Sequence, residues 1–131
     1  MFDPTKEVPN LELCRKLKEL GYPQEGGGWY WINPDGKGYF LFYFETSDYL
    51  SNMDFKAPLC SEILEIIPAK VENIGEFRLL KKDRLYLTFY NNVSYDIDGG
   101  IYIGNLPFVL VSIIIWLKEN GYIKFQERKE V

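Results

Sequence analysis

Hydrophobic positions along this 131-residue chain follow two spacings, one typical of helices and one typical of strands. Leu13 and Leu17 lie on one helical stripe, while most charged residues around them fall elsewhere. Asn10 is a residue type that caps helix N-termini, and Gly21 tolerates the left-handed conformation that ends a helix. The pattern predicts a first helix over residues 11–20.

A second helix is predicted over residues 59–67, with its aliphatic side chains on one buried side. Pro58 suits the first turn of this helix, and Pro68 ends it. Glu62 and Glu65 lie three residues apart on its exposed side, where such a pair more commonly solvates a helix than supports a reaction.

A third helix is predicted over residues 106–120, after a cap at Asn105 and before a stop at Gly121. The β-branched residues of the segment 109–115 leave a strand possible there. Pro107 near the start of the segment favours the helix.

The segment 26–44 is dense in aromatic residues and predicts a β-hairpin. Asp35-Gly36 is its strongest turn signal, and a turn centred there pairs Trp29 with Phe42. This register assigns to a core face Trp29, Trp31, Phe40, Phe42 and Phe44, and to the opposite face Tyr30, Ile32, Tyr39, Leu41 and Tyr43. A three-residue loop would shift the pairing by one and mix the two sets.

A second hairpin is predicted, in which residues 76–80 pair with residues 84–90 through a charged turn over residues 81–83. Its second strand alternates between two sets, which are Tyr86, Thr88 and Tyr90 on one face and Leu85, Leu87 and Phe89 on the other. A tyrosine-rich face therefore again lies opposite an aliphatic and phenylalanine face.

Two segments lack a hydrophobic period. Residues 45–56 predict a loop whose length is typical of functional or mobile loops. Residues 91–104 predict a polar link, and within it residues 96–100 are similar to the start of a calcium loop. Because the distal glutamate of such a loop is missing, we interpret this stretch as a turn.

These elements alternate as helix, hairpin, helix, hairpin, helix. The compact arrangement is an α+β fold in which one four-stranded, mainly antiparallel sheet, made of the two hairpins, carries three helices on one face. The chain length is in the usual range for one domain, so residues 1–131 are expected to form a single domain.

The composition excludes several kinds of catalytic and metal-binding site. The chain has no histidine, which excludes Ser-His-Asp, Cys-His and His-metal schemes within it. Cys14 and Cys60 are the only cysteines, and they are predicted to be buried free thiols because they form no C-x-x-C pair. Cys60 lies near a helix N-terminus, but no base or cationic partner is evident for it. We expect no catalytic residue, no metal and no cofactor.

The formal charge of -4 disfavours nucleic acid and anionic membranes as partners. The longest apolar run, residues 108–117, has about half of the length that a membrane-spanning helix needs. The N-terminus lacks the order of charged, apolar and small residues that marks a signal peptide. These features predict a cytoplasmic protein without membrane contact.

A functional interpretation is strongest for the tyrosine face, because tyrosine supplies contact area and a hydroxyl group at low entropic cost. The candidate partner surface consists of Tyr30, Tyr39, Tyr43, Tyr86 and Tyr90. Two structural interpretations stay open. The tyrosines can form a cross-strand ladder that only stabilises a solvent-facing sheet, or a loop can cover them.

The segment 9–24 has the pattern P-x-L-E-x-C-x-x-L-K-x-L-G-Y-P-Q, and it is followed by Trp29-Tyr30-Trp31, by Ala57-Pro58 and by the segment 116–122. Together these motifs resemble a group of small uncharacterised proteins found in bacteria, prophages and mobile elements. The resemblance implies a bacterial or phage origin, and it brings no assigned activity or site residue.

The sequence thus predicts a non-enzymatic, cytoplasmic protein-interaction or accessory domain. It would use the tyrosine face or the loop over residues 45–56 to bind an unknown protein or a second copy of itself. The alternative is a small-ligand-binding protein or an enzyme whose pocket this loop covers.

Overall fold

The computed structural model describes residues 3–92 and 100–125, which form an α+β fold of four helices and seven strands. The helices are α1 (Pro4–Glu7), α2 (Leu11–Glu19), α3 (Cys60–Ile66) and α4 (Leu106–Glu119). The strands are β1 (Gly28–Ile32), β2 (Phe40–Phe44), β3 (Phe55–Lys56), β4 (Lys70–Val71), β5 (Gly75–Lys82), β6 (Leu85–Tyr90) and β7 (Ile101–Gly104). The predicted fold class is confirmed, and α1 is a short helix that the sequence analysis does not include.

The strands form two antiparallel sheets, one of order β2-β1-β3 and one of order β4-β5-β6-β7. The predicted single four-stranded sheet, with three helices on one face, is therefore wrong. The reason lies in three short strands outside the two hairpins. Because β3 occupies the second edge of β1, and β4 and β7 flank the second hairpin, each hairpin belongs to its own sheet.

The helix ends follow local chemistry, as predicted. The side-chain oxygen of Asn10 accepts a hydrogen bond from the N–H of Leu13 at 2.9 Å, and Asn105 caps α4 in the same way. Gly21 and Gly121 end α2 and α4 with φ values of +93° and +78°, which glycine adopts without strain. The strand alternative for residues 109–115 is wrong.

The second helix lies where it is predicted, but its start differs in detail. Leu59 is the N-cap residue, so Pro58 precedes the helix and does not lie in its first turn. The carboxylate of Glu62 accepts the N–H of Leu59 at 3.1 Å. Glu62 therefore helps to cap α3, whereas Glu65 is exposed.

Helix α4 is the centre of the larger core. It is apolar all round and buried from Val109 to Leu117, and it packs against β6, β7, α3, α2 and α1. The hydroxyl of Thr88 donates a hydrogen bond to the carbonyl of Val109 at 3.2 Å, which fixes the inner face of the four-stranded sheet against this helix.

The register of the first hairpin is one residue away from the predicted register. Trp29 lies opposite Tyr43, and Tyr30 lies opposite Phe42. The cause is a longer turn, in which the side-chain oxygen of Asn33 accepts the N–H of Gly38 at 3.0 Å. A shift of one residue moves every side chain of the second strand to the other face.

Each face of this hairpin therefore mixes the two predicted sets. Trp29 and Trp31 pack with Leu41 against a small cluster of Val8, Cys14 and Ala57. Phe40 and Phe42 are 46% and 48% exposed, so their assignment to the core is wrong. They share the face of Tyr30 and Ile32, both of which are buried.

The second hairpin has the predicted alternation with the opposite orientation. Tyr86, Thr88 and Tyr90 lie on the inner face against α4. Leu85, Leu87 and Phe89 point away from the helix, because successive residues of a strand alternate between its faces.

Candidate functional site

Two of the five tyrosines of the predicted partner surface are interior residues. Tyr30 is 1% exposed and Tyr90 is fully buried. Their hydroxyls donate to the carbonyls of Gly26 at 2.7 Å and Pro68 at 2.6 Å. Desolvation by burial raises the pKa of each phenol to about 12. Neither side chain is available to a partner, and their assignment to an open surface is wrong.

The other three tyrosines do not form one surface. Tyr43 is 53% exposed and packs edge-on against Trp29, and Tyr39 donates its hydroxyl to the carbonyl of Met53 at 3.2 Å. Tyr86 belongs to the other sheet and lies on its inner face, where the ammonium group of Lys81 is 5.5 Å from the ring centroid.

The surface that the sequence analysis misses is the opposite side of the four-stranded sheet, which we call the outer face. Its apolar side chains are Leu80, Leu85, Leu87, Phe89, Ile101 and Ile103. Leu80, Leu87 and Ile103 are direct cross-strand neighbours. Leu80 is 52%, Leu85 54% and Ile103 62% exposed. A shallow apolar depression of about 380 Å³ lies in this region.

Positive charge borders the outer face in a chain whose net charge is -4. Arg78 and Lys82 project from β5 on the outer side, and Arg84 lies in the adjoining turn. The guanidinium of Arg78 is 2.9 Å from the carboxylate of Glu76, while Asp83 is the acidic residue of the turn. The border therefore carries three cations and two acids, and Arg78 is paired with one of these acids, Glu76.

The segment between β2 and β3 is a loop, as predicted, except that Phe55 and Lys56 form β3. The ammonium group of Lys18 holds it by donating to the carbonyls of Asn52 and Asp54. A cavity of about 270 Å³ lies between this loop, Lys18 and Tyr30. Its size is at the lower limit for a small-molecule site, and Asp54 is its only carboxylate.

Another cavity measures about 640 Å³ and lies between α1 and the start of α4. Glu7 is the only carboxylate among its lining residues, which also include Trp31 and Phe108. A pair of carboxylates for general acid and base chemistry is therefore not assembled there.

The two cysteines are buried and free, as predicted. Burial raises the pKa of the Cys14 thiol to about 12 and that of the Cys60 thiol to about 11. A nucleophilic cysteine needs a lowered pKa, so both environments disfavour that role. Residues 3–92 and 100–125 contain no group of acidic residues and cysteines that could hold a metal ion, and the calcium-like stretch 96–100 lies almost wholly outside them.

Comparisons with protein-family models, curated proteins and solved structures find no match for this chain. None of the described helices is long and apolar enough to cross a membrane.

Proposed function

We propose that this chain is a non-enzymatic protein-interaction domain that binds its partner through the outer face of the four-stranded sheet. The observation that carries the proposal is the cross-strand row Leu80, Leu87 and Ile103, whose two outer members are more than half exposed. Contiguous exposed apolar surface on a folded domain is typical of a binding site. Cross-strand aliphatic rows of this kind offer a flat contact with little rotamer entropy to lose.

The charges that border the outer face indicate what kind of partner surface would bind there. Lys82 and Arg84 place positive charge at one end of the apolar centre, whereas the charge of Arg78 is paired with Glu76. An apolar protein surface bordered by aspartate and glutamate is complementary to it, and such charges increase the association rate and the specificity. Nucleic acid fits less well, because Phe89 is the one aromatic side chain that the described strands place on this face and the chain carries a net charge of -4.

The alternative function, a small-ligand site or an enzyme with a loop-covered pocket, is supported by the cavity beside Tyr30 and by a second cavity of about 480 Å³ between Arg15 and the loop residues Asn52 and Met53. The cavity beside Tyr30 is small and holds one carboxylate, Asp54. We therefore favour the binding domain.

We also infer a cytoplasmic location and a bacterial or phage origin. Two buried, unpaired thiols, those of Cys14 and Cys60, are typical of a protein from a reducing compartment. The origin is supported by the motif resemblance of residues 9–24.

A peptide library displayed on phage tests the binding proposal. The wild-type chain should enrich peptides in which apolar residues adjoin aspartate or glutamate. Binding of these peptides should weaken about tenfold or more in the double variant Leu80→Thr/Ile103→Thr, because threonine is accepted in strands but removes the apolar contact. Leu64→Gln is the control, since Leu64 is 40% exposed on α3.

The proposal is wrong if the enriched peptides bind the double variant and the wild type equally, or if no peptide is enriched. Circular dichroism of both variants establishes that each one retains the fold.

A further inference from the structure

Strand β2 is an edge of the three-stranded sheet, and its five residues, Phe-Leu-Phe-Tyr-Phe, contain no charge, proline or glycine. Natural edge strands usually carry such residues, because an open edge pairs readily with another strand. The edge of β2 is therefore open to pairing with another strand.

The backbone geometry shows which groups of β2 face outward. The N–H of Ala57 donates to the carbonyl of Trp29 at 2.9 Å, so Trp29 directs its polar groups toward β3. Because these directions alternate along an antiparallel strand, Tyr30 directs its groups toward Phe42 of β2. The N–H and C=O groups of Leu41 and Tyr43 therefore point away from the sheet.

Within residues 3–92 and 100–125, no hydrogen bond reaches the outward backbone groups of Leu41 and Tyr43. The same strand exposes Phe40 and Phe42 by 46% and 48%. The edge thus offers a row of free hydrogen-bonding groups next to two half-exposed aromatic rings.

We propose that a second copy of this chain pairs with β2 in antiparallel orientation about a two-fold axis at Phe42. The strand is centred on Phe42, so this register alone pairs all five of its residues. Leu41 then forms hydrogen bonds with Tyr43 of the second copy, and Phe42 faces the second Phe42 in a non-hydrogen-bonded pair. Phe40 faces Phe44, so the exposed phenylalanines of both copies pack together.

The charges at the two ends of β2 favour the antiparallel orientation. Lys37 precedes the strand and Glu45 follows it, and both are exposed. Antiparallel pairing brings Glu45 of one copy toward the Lys37 end of the other, whereas parallel pairing would bring like charges together. The assembly closes at two copies, because each copy uses β2 at the shared axis and the opposite edge strand of the described sheet, β3, has two residues.

Sedimentation over a range of concentrations tests this dimer. The wild-type chain should reach twice the monomer mass, and Phe42→Lys should return it to the monomer, because two ammonium groups would meet at the axis. Leu64→Lys on α3 is the matched control and should remain dimeric. Leu80→Thr/Ile103→Thr should also remain dimeric, which separates this interface from the outer face.

A cross-linking experiment tests the register independently of any loss of folding. Phe42→Cys should form an intermolecular disulfide under oxidised glutathione, since the Cα atoms of a non-hydrogen-bonded pair lie about 4.5 Å apart. Phe40→Cys should not, because it would face Phe44. The proposal is wrong if the wild type is monomeric at every concentration, or if both cysteine variants cross-link equally.

Discussion

The hydroxyl of Tyr90 donates a hydrogen bond of 2.6 Å to the carbonyl of Pro68, which connects the end of β6 to the residue that follows α3 and its cap. Tyr90 is fully buried and packs against Phe77 in the larger core. Tyr90, which the alternation of the second hairpin assigns to a binding surface, therefore links the four-stranded sheet to α3.

Removing this hydroxyl should destabilise the fold. Tyr90→Phe leaves the Pro68 carbonyl without its donor, so the free energy of unfolding should fall by about 1–2 kcal/mol. Tyr43→Phe is the control, because Tyr43 is 53% exposed and its change should stay within about 0.5 kcal/mol. Urea denaturation measures both values. Equal stability of the two variants would contradict the structural role of this bond.

The stability should fall in alkaline solution because of the buried thiols. Burial raises the pKa of the Cys14 thiol to about 12 in the folded protein. In the unfolded chain the pKa of a cysteine thiol is about 8.5. A thiol whose pKa is higher in the folded state stabilises the fold fully at pH values below its unfolded pKa. This stabilisation is lost as the pH rises above the unfolded pKa toward the folded pKa. The free energy of unfolding should therefore decrease by about 1–2 kcal/mol for this thiol between pH 8 and about pH 10.

Urea midpoints at several pH values measure this dependence. Cys14→Ala should show a shallower decrease than the wild type, although its stability at neutral pH is lower because a buried side chain is truncated. If the two proteins lose stability in parallel up to pH 10, the Cys14 thiol is not the source of the effect.

The protection of the loop before β3 from amide exchange should depend on Lys18. Its ammonium group donates to the carbonyls of Asn52 and Asp54, so Lys18→Met should release this part of the loop and increase its backbone amide exchange several-fold. Lys16→Met is the matched control, since Lys16 makes an exposed ion pair with Glu119 at 3.7 Å and does not contact this loop. Hydrogen exchange read by mass spectrometry should show no change in the loop for this second variant.

Gly27 should not tolerate a side chain. A Cβ atom there would lie 2.6 Å from the carbonyl oxygen of Glu45, which is backbone and cannot rotate away. Gly27→Ala should therefore lower the free energy of unfolding by about 1–3 kcal/mol. Gly104→Ala is a useful comparison, because its Cβ would meet the side chain of Phe108, which is 36% exposed and can move. Thermal denaturation should rank the first variant as the less stable.

The helix boundaries were predictable because they depend on neighbouring residues in the chain. Asn10 and Asn105 cap helices through their own side chains, and Gly21 ends a helix through its own φ angle. The register of the first hairpin was not predictable in this way. It depends on the side chain of Asn33, which reaches the N–H of Gly38 and lengthens the turn beyond the Asp-Gly signal.

The outer face could be recognised as a candidate binding surface only from the tertiary structure. The alternation of Leu85 and Leu87 with Tyr86 and Thr88 is visible in the sequence, yet both sets are compatible with burial. The contact between Thr88 and α4 decides which set is inside, and this contact joins residues 21 positions apart. The leucines are left outside as a consequence.

The sequence by itself determined the α+β class, the three longer helices, both hairpins and the burial of the two thiols, because these follow from local periodicity and capping. Only the tertiary structure decided that the hairpins belong to separate sheets, and which face of each hairpin is buried. A period of two residues defines two faces without saying which is inner. That choice depends on the helices and strands that pack from distant parts of the chain.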